Sequence, residues 1–387
     1  MKYTFIILLQ MIFFVVGINA QIFSAGTGNW SSGATWVGGA VPTSTDNVMI
    51  AADHAVTIDP LNATCNDITI QAGGVLKFRN DGVSAGITVN GNLNIDGNAT
   101  AGGVEGKFVC DTVTTTVFTP HTLILYGNLS VNAGVDSSGT LLFRMGSNGV
   151  NSAGCNMTFR GTSNSIVALQ KTIQSSKELF NSITIEKASG AKVILSSGNL
   201  FMSNNNTTGP SWLTFVSGKI ETGENNIWVV LTTASGAVTG GSQSCYVDGN
   251  FGRGITSGGS SKFFEVGDAD GYRPIRVTPS GSFSSKQYMV ACVVSGNANT
   301  GSSTFSGPID KVSAVRYYRI SYYQGLGTPA SFPVVNFAPS YGANDGVAEG
   351  NTDLRVAYST DGRATWIGID QTAPHTTNLA LPPTTIT

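Results

Sequence analysis

The chain has 387 residues, of which 48 are glycine and only 11% are charged, against about 25% in an ordinary soluble domain. Its 21 Lys and Arg against 23 Asp and Glu leave a formal charge of −2, so no basic stripe exists to hold a phosphate backbone and nucleic-acid binding is excluded on electrostatic grounds. With 41% hydrophobic residues the chain has apolar material for a core and length for two or three domains, which excludes disorder; its glycines lack the triplet period of collagen.

Residues 1–20 read as a cleavable export signal. Lys2 supplies a short positive region, Phe5 to Val16 is an almost unbroken apolar run, and Ile18-Asn19-Ala20 puts a small residue before a cut ahead of Gln21. The run is shorter than the ~20 residues of a spanning helix, which disfavours a membrane anchor. No Cys follows the cut, which disfavours a lipid anchor. Export permits disulfides among Cys65, Cys110, Cys155, Cys245 and Cys292, but the odd count leaves at least one thiol unpaired or intermolecular. Their wide spacing suggests no zinc or redox motif, and lone small hydrophobes inside stacked coils are the favoured reading.

Residues 21–45 carry Trp30 and Trp36 in Ser/Gly-rich surroundings and read as a cap that covers the open end of a stacked fold. From Asp46 the sequence repeats short alternating runs such as Asn47-Val48-Met49-Ile50 and Ala55-Val56-Thr57-Ile58, closed by turn residues. Only Gln174 to Ser182 hints at a helix, so the fold is expected to be all-β. A Gly-Asn-Leu block recurs at Gly91, Gly127 and Gly198, with weaker relatives at Gly74 and Gly218, and a step of about 18 residues fits every interval. One such coil buries little alone, so residues 46–245 are expected to form a parallel β-helix, a β-solenoid of right hand, in preference to a Greek-key sandwich. Residues 246–375 change to aromatic, well-separated strands that suit a β-sandwich. Residues 376–387 read as a linker at which the chain is expected to have been cut from something longer.

Three phrases together resemble the exported surface proteins of the Bacteroidetes that leave by type IX secretion. They are Gly28-Asn29-Trp30 with Ala34-Thr35-Trp36 and Asp46-Asn47-Val48-Met49-Ile50; Phe264-Glu265-Val266-Gly267-Asp268 with Tyr272-Arg273-Pro274-Ile275; and Arg316-Tyr317-Tyr318-Arg319-Ile320 with Ser359-Thr360-Asp361-Gly362 and Trp366. The resemblance implies a β-helical region followed by a sandwich module, on a secreted or cell-surface protein that ends in a sorting domain. No such domain is present in these residues.

Chemistry is sparse. A β-helical lyase or hydrolase needs converging carboxylates, whereas Asp46, Asp53, Asp59, Asp67, Asp81, Asp96, Asp111 and Asp136 are scattered. Asp53 beside His54 has the composition of an orienting pair for a general base, but a water-exposed polar turn is favoured. His121 at a strand entrance and His375 in the tail are read in the same way. Asp268 and Asp270 in Gly267-Asp268-Ala269-Asp270-Gly271 give a partial calcium-loop look without the remaining ligands of an EF-hand, and a Gly-rich loop capped by Asp side chains is favoured. Ser359 to Trp366 is similar to an Asp-box turn, with Arg363 where glycine is usual. Asp111-Thr112-Val113 resembles a Bacteroidetes O-glycosylation site. Thr112 to Thr116 raise an ice-binding face, which requires threonines in register on successive coils; at an 18-residue step they do not repeat. No catalytic set and no resident cofactor or metal is expected, calcium being the one ion considered. The expected function is therefore a non-enzymatic stalk for adhesion or surface assembly, with a surface polysaccharide or extracellular glycan as partner. The alternative is a carbohydrate-active or glycan-binding protein whose Asp53, Lys77, Asp81 and Asp96 converge in a groove.

Overall fold

Alternation of buried and outward-facing residues marks most of the short strands before Leu200, as in Asn47–Ile50, Ala55–Ile58 and Ile68–Ile70, with one residue in and the next out. In this computed structural model the described residues are 21–97, 104–110, 120–132, 154–169, 180–202, 212–256, 261–280, 287–324, 328–330, 335–341, 343–345 and 353–369, with backbone alone at 143–144 and 384–385. The export signal, Asp111 to Thr116, Asp136, most of Gln174 to Ser182, and His375 lie outside them.

β1 (Gln21–Phe23) and β2 (Gly28–Asn29) open the fold. A three-strand circuit then repeats: β3 (Asn47–Ile50), β4 (Ala55–Ile58) and β5 (Ala63–Cys65); β6 (Ile68–Ile70), β7 (Val75–Phe78) and β8 (Gly86–Val89); β9 (Leu93–Ile95), β10 (Lys107–Val109) and β11 (His121–Leu125). It continues through β12 (Leu129–Val131), β13 (Phe143–Arg144), β14 (Cys155–Gly161), β15 (Ser165–Leu169), β16 (Ile183–Lys187), β17 (Lys192–Ser197) and β18 (Leu200–Met202). β19 (Leu213–Ser217), β20 (Lys219–Val230), β21 (Val238–Thr239) and β22 (Val247–Ile255) complete it. Pairing among these strands is parallel and sorts them into three sheets. The first is β1-β3-β6-β9-β12-β15-β17-β20-β22, the second β2-β4-β7-β10-β13 and the third β5-β8-β11-β14-β16-β19-β21.

Inward side chains stack in columns between the sheets. Val48, Ile68, Leu93, Leu129 and Val167 form one such column and are all buried. Burying each aliphatic side chain contributes roughly 1.5–3 kcal/mol, and a single circuit has too few of them to stand alone. At the N-terminal end Trp30 and Trp36 meet edge to face at 5.0 Å, both buried, and the Trp36 indole donates to the Trp30 carbonyl at 2.8 Å.

The 18-residue step is not the circuit length. Partners in the column just named lie 20, 25, 36 and 38 residues apart, so the 36 residues from Gly91 to Gly127 are one circuit and not two. The physical content of the Gly-Asn block lies at the corner between the third and first sheets. There the Asp67 carboxylate accepts the Asn92 backbone N–H at 2.6 Å, Asn92 Oδ1 accepts Asn128 N–H at 3.0 Å, and Asn128 Oδ1 accepts Ile166 N–H at 2.8 Å. Each corner side chain thus satisfies a donor of the next circuit that a turn would leave unpaired. Glycine precedes it because a Cβ at Gly127 would run into the Gly91 carbonyl. Gly198 instead follows β17 and stacks over Leu169, at the other end of the first sheet.

Beyond β22 the first sheet continues without a break into antiparallel strands, Gln287–Ser295 and then Arg316–Gln324. A second antiparallel sheet of Lys262–Phe264, Ile275–Pro279 and Val335–Tyr341 lies nearby, and its Phe264, Ile275 and Val277 share one apolar core with Phe251, Met289 and Ala291.

Candidate ligand-binding face

Asp53, Lys77, Asp81 and Asp96 are not brought to one strand or one connection. Asp53 and Asp96 sit in connections from the first sheet to the second, Asp81 in one from the second to the third, and Lys77 on the second sheet itself. Asp53 occupies a tight turn with φ 63°, and His54 Nδ1 hydrogen-bonds Ser24 Oγ at 2.8 Å, so the imidazole has a hydroxyl for its neighbour. Asp81 is held by Arg79, whose guanidinium lowers its carboxyl to about 2. His121 is interior and not a surface residue. Its ring stacks on Phe78 at 4.6 Å, its Nδ1 accepts the Ala85 N–H at 3.0 Å, and burial lowers its pKa to about 4.

Asp268 and Asp270 surround an arginine. The Arg316 Nη1 donates to both Asp268 oxygens at 3.1 and 3.0 Å, its Nε donates to Asp345 at 2.5 Å, and Nη2 lies 3.7 Å from Asp270. Ser295 Oγ adds a bond to Asp268 at 3.0 Å. A guanidinium thus fills the space that the two carboxylates offered to a cation, and among the described residues no group of three or more His, Cys, Asp or Glu is placed to hold a metal. This pair also ties together two of the phrases singled out in the sequence. The Asp-box-like segment is a hairpin turn: Asp361 accepts the Thr365 N–H at 2.9 Å, Ser359 Oγ accepts the Arg363 N–H at 2.9 Å, and Arg363 takes the φ of 74° natural to the glycine it replaces.

What the structure brings together is a row of threonines on the outer face of the third sheet. Thr64 pairs with Thr88, Thr88 with Ile124, Ile124 with Thr158, Thr158 with Thr184, Thr184 with Thr214, and Thr214 with Thr239. Seven successive strands therefore present one β-branched side chain in register, six of them threonine. At the 4.7–4.9 Å separation of paired strands the row is about 29 Å long. Thr122, paired with Asn156, begins a second row on one side, which continues in order with Ser182 and Trp212; Trp212 is 37% exposed. On the other side Arg160 and Glu186 neutralise each other at 2.7 Å. Successive members of the threonine row are 24, 36, 34, 26, 30 and 25 residues apart, so no fixed step reveals them. The sequence signal was local: five of the six threonines lie at the outward position of an apolar-Thr-apolar triplet, as in Ile87-Thr88-Val89, Met157-Thr158-Phe159 and Ile183-Thr184-Ile185.

Residues 35–170 match the G8 domain. The G8 segment begins inside the Trp30–Trp36 cap, runs through β15, and includes the first four positions of the threonine row. G8 domains are found in extracellular and cell-surface proteins, and the all-β fold fits that setting. No curated protein and no solved structure matches the chain. Among the described residues no helix is long and apolar enough to cross a membrane.

Proposed function

We propose that this is a non-enzymatic, exported protein of the cell surface, a rigid β-solenoid over residues 21–255 joined to a β-sandwich module, whose threonine-laddered face binds an extended uncharged polysaccharide. The register of the threonine row is the observation that carries the reading. Hydroxyls and amides at a fixed repeat suit a polymer with a fixed repeat, and a ladder anchored in a parallel sheet has little freedom left to lose on binding. The row itself is uncharged, and its one flanking ion pair is self-neutralised, which matches a neutral chain better than an acidic one. Trp212 offers a flat apolar surface for the C–H face of a sugar ring. The G8 segment and the N-terminal export signal support delivery to the cell exterior, and the three phrases shared with Bacteroidetes surface proteins support type IX secretion as the route. A groove enzyme is less well supported, because Asp53, Lys77, Asp81 and Asp96 are spread over two corners and a sheet.

The test is co-sedimentation and glycan-array binding of the mature chain from Gln21 with neutral polysaccharides, following any turnover. Binding is expected, without cleavage, and is expected to be lost in a Thr158→Tyr/Thr184→Tyr variant whose melting temperature is unchanged. Absence of binding, or binding indifferent to the double substitution, removes the face from the proposal; cleavage removes the non-enzymatic reading. The same row supports a second reading, since threonines in register are what an ice-binding face requires. Thermal hysteresis and faceted ice crystals in the presence of the mature chain would favour it.

A further inference from the structure

We infer that Cys110 and Cys155 are joined by a disulfide in the exported protein, which bolts one circuit to the next where the second sheet turns toward the third. The columns of the fold place them. Val109 pairs with Lys77, so Cys110, one residue on, lies over Phe78, and Cys155 pairs directly with His121. Phe78 and His121 face each other across the same corner one circuit earlier, stacked at 4.6 Å. Advancing that pair by one circuit replaces it with the two cysteines. Both are buried, and their thiols hydrogen-bond each other. The other three cysteines, Cys65, Cys245 and Cys292, are buried thiols as well. Cys65 belongs to a different column, stacked under Val89, Leu125 and Phe159.

The sequence alone supplies no pairing, because 45 residues separate the two positions and the same interval separates Cys65 from Cys110. Their juxtaposition follows only from the three-dimensional circuit. In the folded interior Cys155 is pushed well above its ordinary pKa by burial, with the neighbouring Cys110 adding to the rise, so very little thiolate forms there. The bond therefore has to form while the circuits are still stacking. One thiolate attacks the disulfide of an exported thiol–disulfide oxidant, giving a mixed disulfide, and the second thiolate displaces the oxidant's sulfur. Two protein thiols become one S–S bond with loss of two protons, and the oxidant's disulfide is reduced to a dithiol. Once buried, the bond is out of reach of soluble reductants until the circuits part.

The test is on the mature chain produced by export into an oxidising compartment, alkylated under denaturing conditions with and without prior reduction, then mapped by mass. The expected result is three alkylated cysteines, with Cys110 and Cys155 in one linked peptide, and five alkylated cysteines after reduction. Five alkylated cysteines in the unreduced protein, or Cys110 linked to any other residue, overturns the inference. Melting temperature gives a second readout: a Cys110→Ser/Cys155→Ser variant is expected to melt below the oxidised wild type and level with the reduced wild type. A double variant that melts level with the oxidised protein also refutes it.

Discussion

His121 makes the fold acid-labile through a single proton. Its ring is 2% exposed, lies flat on Phe78 with an interplanar angle of 8°, and uses Nδ1 as an acceptor for the Ala85 N–H. Protonation puts a charge inside the circuit and turns that acceptor into a donor facing a donor. Burial is the main reason the pKa falls from 6.5 to about 4, and the nearby Arg79 and Asp81 charges act in opposite directions on it. The folded pKa is below the unfolded one, so the unfolded chain binds more protons between the two. The contribution is therefore complete above pH 6.5, is lost as pH falls toward 4, and changes no further below that. A drop of that size corresponds to about 3 kcal/mol. The measurement is urea unfolding at pH 7 and pH 4 for wild type and His121→Asn, whose Oδ1 keeps an acceptor for Ala85 but does not titrate. Wild type is expected to lose about 3 kcal/mol more than the variant over this interval, while carboxylates common to both cancel. Equal losses in the two proteins would refute the argument.

Lys187 gives the same sign in an alkaline window. It is buried, donates to the carbonyls of Tyr126 and Arg160 at 3.2 and 2.7 Å, and burial lowers its pKa to about 8. Stability is expected to rise between pH 8 and 10.5, a rise absent from Lys187→Met in denaturation at the two pH values. Arg316→Ala strands the buried carboxylates of Asp268 and Asp345, and a loss of roughly 3–5 kcal/mol in equilibrium unfolding is expected. Gly127→Val drives a side chain into the Gly91 backbone, which cannot swing aside, and a loss of roughly 2–4 kcal/mol is expected from the same assay.

Strand character, the buried indole pair at the N-terminus and the hairpin turn at Ser359 to Trp366 were legible because each rests on local chemistry: alternation, aromatic area and turn capping. The circuit length was not. Gly91 and Gly127 stand one circuit apart, but Gly198 lies at the opposite end of its strand, and fitting these intervals and those to Gly74 and Gly218 to one common step created a step of 18 that no circuit has. His121 was equally hidden, since nothing in its neighbours says that Phe78, 43 residues earlier, will be its stacking partner.

The irregularity itself has a simple cause. Six of the seven described connections from the third sheet to the first are one to four residues long, 66–67, 90–92, 126–128, 162–164, 188–191 and 218, the last, 240–246, being seven. In the earlier ones the Asp67, Asn92, Asn128 and Asn164 side chains each bond a backbone N–H of the next circuit. The other two corners grow: from the first sheet to the second they run from 51–54 to 96–106 and 132–142, and from the second to the third from 59–62 to 110–120 and 145–154. A parallel ladder is fixed by its paired residues alone, so material added between strands changes the spacing in sequence without moving the register in space. Insertions at two corners therefore scramble every sequence interval while the tight third corner holds the outer face of the third sheet straight. That face is where the threonines remain in line.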